Sequence, residues 1–201
     1  MPLIAPIVFT STLLVLAPTR EAGKEKFYFP TVVGTKWVYK EANVETTEVI
    51  TAVEEKNGSK FVTVARERKN GKLIPDDLIE VSSRGVFRHT RGHILKIGKE
   101  PVCLLDLALK PGKRREFDVR GGEQVRSEAG WMVANEPEEL EVPAGKFRAI
   151  RVDVQLLKIS EKAVNPPIAF TCWYALEVGL VKQRSGDNDE KVLVSFKPGK
   201  K

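Results

Sequence analysis

The chain has 201 residues, of which 42% are hydrophobic and 30% charged, and it contains 15 Gly and 12 Pro. These proportions are typical of one folded domain, and they exclude a collagen, a low-complexity disordered chain and a polytopic membrane protein. Since only two His, two Cys and two Met are present, few side chains are available for metal or nucleophilic chemistry.

The first residues predict an export signal. Leu3 to Ala17 is an uncharged, mostly apolar run that is shorter than the roughly 20 residues needed to cross a bilayer, so it fits a secretory h-region. No Lys or Arg precedes it, and Pro18 follows the candidate cleavage site at Ala17. We therefore expect residues 1–22 to be an export leader or an uncleaved N-terminal anchor, with a start assigned too late as the explanation for the missing bases.

The chain after Gly23 has the pattern of an antiparallel β-protein. Asn57-Gly58 and Asn70-Gly71 separate three alternating segments, at 45–55, 60–69 and 72–81. Asn-Gly is a strong signal for a tight hairpin turn, so the two pairs predict a three-stranded meander, with Pro75 confining part of the third strand to an edge.

Further strand-like segments follow at intervals of about ten residues. The clearest is Arg148 to Lys158, where apolar and polar residues alternate so that one face is dry and the other wet. The predicted strands are 85–90, 93–97, 102–107, 114–120, 123–134, 147–159, 168–174, 179–184 and 191–196.

This pattern predicts an all-β fold, in which about a dozen strands form one large curved antiparallel sheet, a barrel or a sandwich. A short helix is the alternative for Val102 to Leu109, because Leu, Asp and Ala suit a helix. We expect one domain over residues 23–197 and a frayed tail at 198–201. Because charges fall on both faces of strands, as at Arg66 and Glu67, no membrane-integral domain is expected apart from an N-terminal anchor.

The positive charge is concentrated in one part of the chain. The net charge is +6, and the segment from Arg84 to Arg115 holds nine bases and two acids. Such an excess can attract an anionic glycan, lipid headgroup or protein, although bases on solvated strand edges also prevent sheet association. The candidate anion-binding residues are Arg84, Arg88, Arg91, Lys113, Arg114 and Arg115. Nucleic acid is not expected as a partner, because Phe117 is the only aromatic beside the densest bases.

No catalytic signature is found. His89 and His93 have a spacing that would join two ligands on a helix, but Gly92 and the strand pattern argue against a helix, so no metal is expected. Ser82 and Ser83 lie near His89 without a nucleophile elbow, and there is no phosphate or dinucleotide loop. We therefore expect neither a catalytic site nor a cofactor.

The two cysteines lie in apolar, strand-like segments. An exported protein meets oxidising conditions in which Cys103 and Cys172 could form a disulfide. The alternative is that both are small buried hydrophobic residues, and the sequence does not decide between them.

Three motifs carry a resemblance: Tyr28-Phe29-Pro30 with Val33-Gly34-Thr35-Lys36-Trp37-Val38-Tyr39, then Val142-Pro143-Ala144-Gly145-Lys146-Phe147, then Trp173-Tyr174-Ala175 with Val178-Gly179-Leu180-Val181-Lys182. In this order they resemble bacterial exported proteins of unassigned function, which are distantly similar to the periplasmic lipoprotein carriers. The resemblance implies a single strongly curved antiparallel sheet or incomplete barrel, a periplasmic or extracellular location and no catalytic residues. It departs at Leu176-Glu177, where a Pro-Gly turn is more usual.

Trp37, Trp131, Trp173 and Tyr174 are the candidate ligand-binding aromatics, although core packing is the favoured explanation for such residues, since it needs no ligand. The functional hypothesis is an exported, non-enzymatic β-protein that either binds an apolar or amphiphilic molecule on a concave sheet face or is a structural envelope module. The alternatives are an adaptor that docks an anionic envelope component through the basic segment, and an unrecognised hydrolase.

Overall fold

A computed structural model describes residues 26–91, 95–96, 100–119, 128–159, 162–186 and 189–200. Within these ranges the chain forms thirteen strands that belong to one sheet, and every strand pair is antiparallel. The predicted all-β fold with a single curved sheet is confirmed. The expected leader lies outside the described residues. In the part of the chain that is described, no helix is long and apolar enough to cross a membrane.

The first half of the chain is a meander that builds one side of the sheet. Its strands are β1 (Lys36–Glu41), β2 (Val44–Lys56), β3 (Ser59–Glu67), β4 (Leu73–Ser82), β5 (Gly85–Arg91), β6 (Leu95–Lys96) and β7 (Val102–Asp106). The second half builds the other side with β8 (Arg114–Val119), β9 (Glu128–Val142), β10 (Gly145–Ile159), β11 (Lys162–Ala175), β12 (Gly179–Ser185) and β13 (Asp189–Lys197). The two halves join where β1 pairs with β13.

The connection between β7 and β8 shows that the sheet is strongly curled. The strand order is β6-β5-β4-β3-β2-β1-β13-β12-β11-β10-β9-β8, and β7 pairs with β5 on the side of β6. In a flat sheet β7 and β8 would be about 50 Å apart at about 4.8 Å per strand. Residues 107–113 can span at most about 28 Å, so the two edges of the sheet must approach each other.

Contacts along this connection hold the two edges together. The backbone N–H of Leu107 donates to the carbonyl of Arg84 at 2.8 Å, and that of Gly112 donates to the carbonyl of Ala134 at 2.8 Å. The buried carboxylate of Asp106 on β7 accepts a hydrogen bond from the guanidinium of Arg115 on β8. No backbone ladder joins β7 to β8 among the described residues, so the barrel is incomplete.

The two Asn-Gly pairs form turns of different types. Asn57 and Gly58 both have positive φ, 53° and 74°, as a two-residue type I′ hairpin requires. At the second pair, Gly71 alone has positive φ, 76°, and its N–H donates to the carbonyl of Arg68 at 2.8 Å. This turn is a longer loop closed by a glycine bulge. The predicted meander is confirmed, but its second turn is not of the predicted type.

The interior of the curled sheet is packed at one end only. The turns that follow β2, β4, β9 and β11 lie at this packed end, where Trp37, Val62, Val81, Val86 and Leu105 are almost completely buried. The segment before β1 covers it, since the carbonyl of Phe27 accepts a hydrogen bond from the N–H of Glu177 at 2.7 Å. The opposite end, at the turns after β1, β3, β10 and β12, is called the cavity end below.

Three predictions about local structure need correction. The helical alternative for residues 102–109 is wrong, because Val102–Asp106 pairs with β5 as a strand. The tail is not free after Phe196, since the N–H of Gly199 donates to Oγ1 of Thr35 at 3.0 Å. The strand expected at 168–174 begins earlier, at Lys162. Its pairing with β10 skips the residues around Pro166 and Pro167 and resumes at Ala163.

Replacement of Glu177 by Gly is expected to stabilise the fold. Glu177 has a φ of 59° and is the third residue of a turn in which the Val178 N–H donates to the Ala175 carbonyl at 3.2 Å. A type II turn favours Gly at this position, so the Pro-Gly pattern from which this chain departs has a physical reason. We expect Glu177→Gly to raise the free energy of unfolding by about 0.5–1 kcal/mol in urea denaturation.

The matched control for this turn is Glu54→Gly at an exposed position of β2. There glycine only adds backbone freedom to the unfolded chain, so stability should fall by about 0.5–1 kcal/mol. Equal destabilisation by both variants would contradict the explanation based on the turn.

The ion pair between the two sheet edges is expected to contribute measurably to stability. Asp106→Asn keeps the shape of the side chain but removes its charge at a buried site, so the free energy of unfolding should fall by about 1–3 kcal/mol. The control is Glu116→Gln, which breaks the exposed pair between Arg114 and Glu116 and should cost less than about 0.5 kcal/mol. Urea denaturation of both variants checks this, and losses of the same size would show that the Asp106–Arg115 contact has no special role.

Candidate functional site

A cavity of about 290 Å³ lies inside the curled sheet, towards the cavity end. Its wall includes residues from every strand except β6, and we call the face of the sheet that lines it the inner face. The volume is at the lower end of the range found for small-molecule sites. The residues that line it fall into two groups of different chemistry.

One wall of the cavity is apolar. It is formed by strands β8 to β11, in the second half of the chain, and its residues are Phe117, Met132, Val154, Leu156 and Phe170. The two residues from β10 agree with the alternation seen in the sequence, which places Ile150, Val152, Val154 and Leu156 on one face of that strand. This apolar wall offers a surface for hydrocarbon.

The other wall carries charge, and its charged side chains come from β2 to β5 and from β13. They are Glu48, Arg66, Asp76, Asp77, Arg88 and Lys191. Arg66 and Asp76 form an ion pair at 2.8 Å, and Lys191 and Glu48 form another at 3.0 Å. The Lys191 Nζ also lies 4.2 Å from the centre of the Tyr39 ring.

The three basic residues of this charged wall share a sequence pattern. Each lies two positions from a buried apolar residue on the same strand, since Val64 precedes Arg66, Val86 precedes Arg88 and Lys191 precedes Leu193. Residues two apart on a strand share a face. Each base therefore follows a buried apolar residue on the inner face, in the direction of the cavity end. That pattern is the signal in the sequence that could have identified Arg66 and Lys191.

Aromatic residues form the end of the cavity that adjoins the packed core. The indole N–H of Trp37 donates to the carbonyl of Val178 at 2.7 Å, and the hydroxyl of Tyr39 donates to the carbonyl of Leu180 at 2.8 Å. Burial raises the pKa of Tyr39 and of Tyr174 well above their usual value, so both phenols stay neutral. With their polar atoms bonded to the protein, Trp37 and Tyr39 present rigid apolar rings.

The four candidate ligand-binding aromatics lie on both faces of the sheet. Trp37 and Tyr174 line the cavity, whereas Trp131 and Trp173 do not. Each of the latter two is next in sequence to a lining residue and therefore points to the outer face. There the Trp173 indole donates to Glu138 at 2.6 Å, and Arg114 covers the Trp131 ring at 5.0 Å.

The candidate anion-binding residues have different surroundings in the structure. Arg88 lines the cavity, and Arg84 and Lys113 are exposed. Arg115 pairs with Asp106 and Arg114 with Glu116 at 3.1 Å, while the side chain of Arg91 is outside the described part. Because residues alternate between faces of a strand, Arg88 faces the cavity whereas Arg84, Lys113 and Arg114 do not. The adaptor hypothesis stays a prediction.

His89 and Ser82 have structural partners. The Nε2 of His89 lies 2.8 Å from Oε2 of Glu80, and the His89 ring is 5.4 Å from that of Phe61. Ser82 Oγ accepts a hydrogen bond from the N–H of Arg84 at 3.3 Å, while His93 lies outside the described residues. No group of three or more metal-ligating side chains occurs in the described ranges.

Both cysteines reach the cavity, on different walls. Cys103 lies on β7 and Cys172 on β11, and both line it as free thiols. The candidate disulfide is therefore not formed in this structure. Burial raises the pKa of each thiol to about 12, so both are neutral at physiological pH.

The fold is shared with two solved bacterial structures. One is a "putative lipoprotein" from Parabacteroides distasonis, with 16% identity, a TM-score of 0.57, and coverage of 86% of this chain and 99% of that one. The other is a "putative exported protein with YmcC-like fold" from Bacteroides fragilis, with 13% identity, a TM-score of 0.59 and the same coverage, 86% and 99%. No protein family matches the sequence, and a comparison with curated proteins finds no relative.

The two thiols are expected to resist alkylation in the folded protein although they face a cavity. A thiol pKa of about 12 instead of 9.0 lowers the thiolate fraction at pH 8 about a thousandfold. We expect iodoacetamide at pH 8 to label both residues rapidly in urea and very slowly in buffer, as followed by mass spectrometry. Labelling of the native protein at the unfolded rate would contradict the buried environment described here.

Proposed function

We propose that this protein is an exported, non-enzymatic binding protein that holds an amphiphilic molecule in the cavity of its curled sheet. The observation that supports this most directly is the division of the cavity lining. Hydrocarbon can contact the apolar wall, while a polar group can contact the opposite, charged wall. A ligand with one apolar and one polar part matches both surfaces at once.

Binding explains the cavity better than a purely structural role does. A structural module gains stability by filling its interior, as the packed end does with Trp37, Val62 and Leu105. At the cavity end, charged side chains replace apolar ones on the same inner face. This lowers stability, because apolar contacts are lost and charged groups are removed from water. Such an arrangement is expected where a binding site has a function.

Two observations support export. The run from Leu3 to Ala17 has the character of a secretory h-region. The two structures that share the fold are described as a lipoprotein and as an exported protein. The neutral state of Cys103 and Cys172 agrees with a non-enzymatic role, because a protonated thiol is a poor nucleophile.

Filling the cavity is expected to abolish binding. In Val154→Trp a large ring occupies the space beside the apolar wall, so the affinity for a neutral naphthylamine fluorophore should fall by about tenfold or more. Fluorescence titration measures this affinity, with circular dichroism as the test of folding.

The matched control is the neighbouring change Gln155→Trp. Gln155 lies on the outer face, opposite Trp131 on β9, and does not line the cavity. Its substitution should leave the affinity unchanged. The proposal would be contradicted if wild-type protein did not bind the fluorophore, or if both variants bound it as wild type does.

A further inference from the structure

Two arginine N–H groups of the charged wall have no hydrogen-bond partner. The Nε atoms of Arg66 and Arg88 are both buried and unbonded, and both side chains line the cavity. Buried donors in folded proteins are almost always bonded to protein or to water. A group with hydrogen-bond acceptors in the cavity would therefore satisfy both donors.

Of the two residues, Arg88 is better placed to meet a ligand. Arg66 uses a terminal nitrogen for its ion pair with Asp76, whereas no ion pair to Arg88 is found among the described residues. Two carboxylates of the charged wall pair with its other bases, Asp76 with Arg66 and Glu48 with Lys191. Arg88 is thus the base of this wall for which no ion pair is found among the described residues.

The guanidinium of Arg88 is close enough to the opposite wall for its charge to act there. Arg88 lies on β5, and its register partners are Ile79 on β4 and Val102 on β7. Burial raises the pKa of Cys172 and of Tyr174, both on β11, and the charge of Arg88 opposes that rise at both residues. A group held by Arg88 would therefore lie between the two walls, with the apolar wall beside it.

We infer that the ligand is an anionic amphiphile, whose carboxylate or phosphate oxygens accept hydrogen bonds from the Arg88 guanidinium while its hydrocarbon part contacts the apolar wall. A planar guanidinium suits such oxygens, because it can donate two parallel hydrogen bonds to them. The inference rests on the proposed function and adds the chemical class of the polar group.

The test compares ligands that share a tail and differ in the headgroup. Decanoate, decanol and decylamine are used to displace the bound naphthylamine fluorophore from the full-length protein at neutral pH, with acetate as an anion without a tail. Decanoate should displace it at about a tenfold lower concentration than decanol, decylamine should be the weakest of the three, and acetate should not displace it.

The Arg88→Met variant should remove this preference, because decanoate loses the two N–H donors of the guanidinium. Arg84→Met is the control, because Arg84 is exposed on the same edge of the sheet and should keep the preference. Arg88→Lys retains a positive charge and should show an intermediate preference, which gives a second reading if the methionine variant folds poorly.

The outcomes separate the two proposals. If no ten-carbon ligand displaces the fluorophore, the proposed function fails and the inference fails with it. If decanol competes as well as decanoate, or if folded Arg88→Met keeps the wild-type preference, binding stands and the anionic headgroup is wrong. If acetate alone competes as well as decanoate, the site takes a small anion and the amphiphile is wrong.

Discussion

The short connection between β7 and β8 is the constraint on which the shape of this protein depends. These strands lie at opposite edges of the sheet, yet residues 107–113 must join them. The sheet therefore curls until its edges approach, and the buried carboxylate of Asp106 meets Arg115 across the gap. Without that curl, the inner face would be an open surface rather than the wall of a cavity.

The curled sheet has two ends with different properties. At the packed end, the segment around Phe27, the turn at Glu177 and the buried indole of Trp37 fill the interior. At the cavity end, the same inner faces carry Arg66, Arg88 and other charged side chains. Apolar packing is therefore concentrated in one half of the interior, and the cavity lies in the other half.

The sequence predicted the fold well because its signals are local. The turn at Asn57-Gly58 and the alternation along β10 each depend on neighbouring residues. The cavity could not be predicted in the same way, since it depends on how far the sheet curls, and that degree of curl is a property of the whole strand order. Trp131 and Trp173 illustrate this, because only the position of the cavity shows that Trp37 and Tyr174 line it and that these two do not.

The charged wall of the cavity could be predicted from the sequence only in part. The step from a buried apolar residue to a base two positions away, as from Val86 to Arg88, is visible in the sequence. What the sequence does not show is that three such strands face one space. Nor does the sequence show which members of the basic run from Arg84 to Arg115 face the cavity, as Arg88 does, and which are exposed, as Arg84 is.

The most direct test of the account is a two-dimensional NMR titration of the labelled protein with decanoate. A ligand inside the curled sheet should shift methyl and amide resonances of Met132, Val154, Leu156 and Arg88, while those of Gln155 and Trp131 move much less. Shifts confined to the outer face, or no shifts at saturating ligand, would contradict a binding cavity inside the sheet.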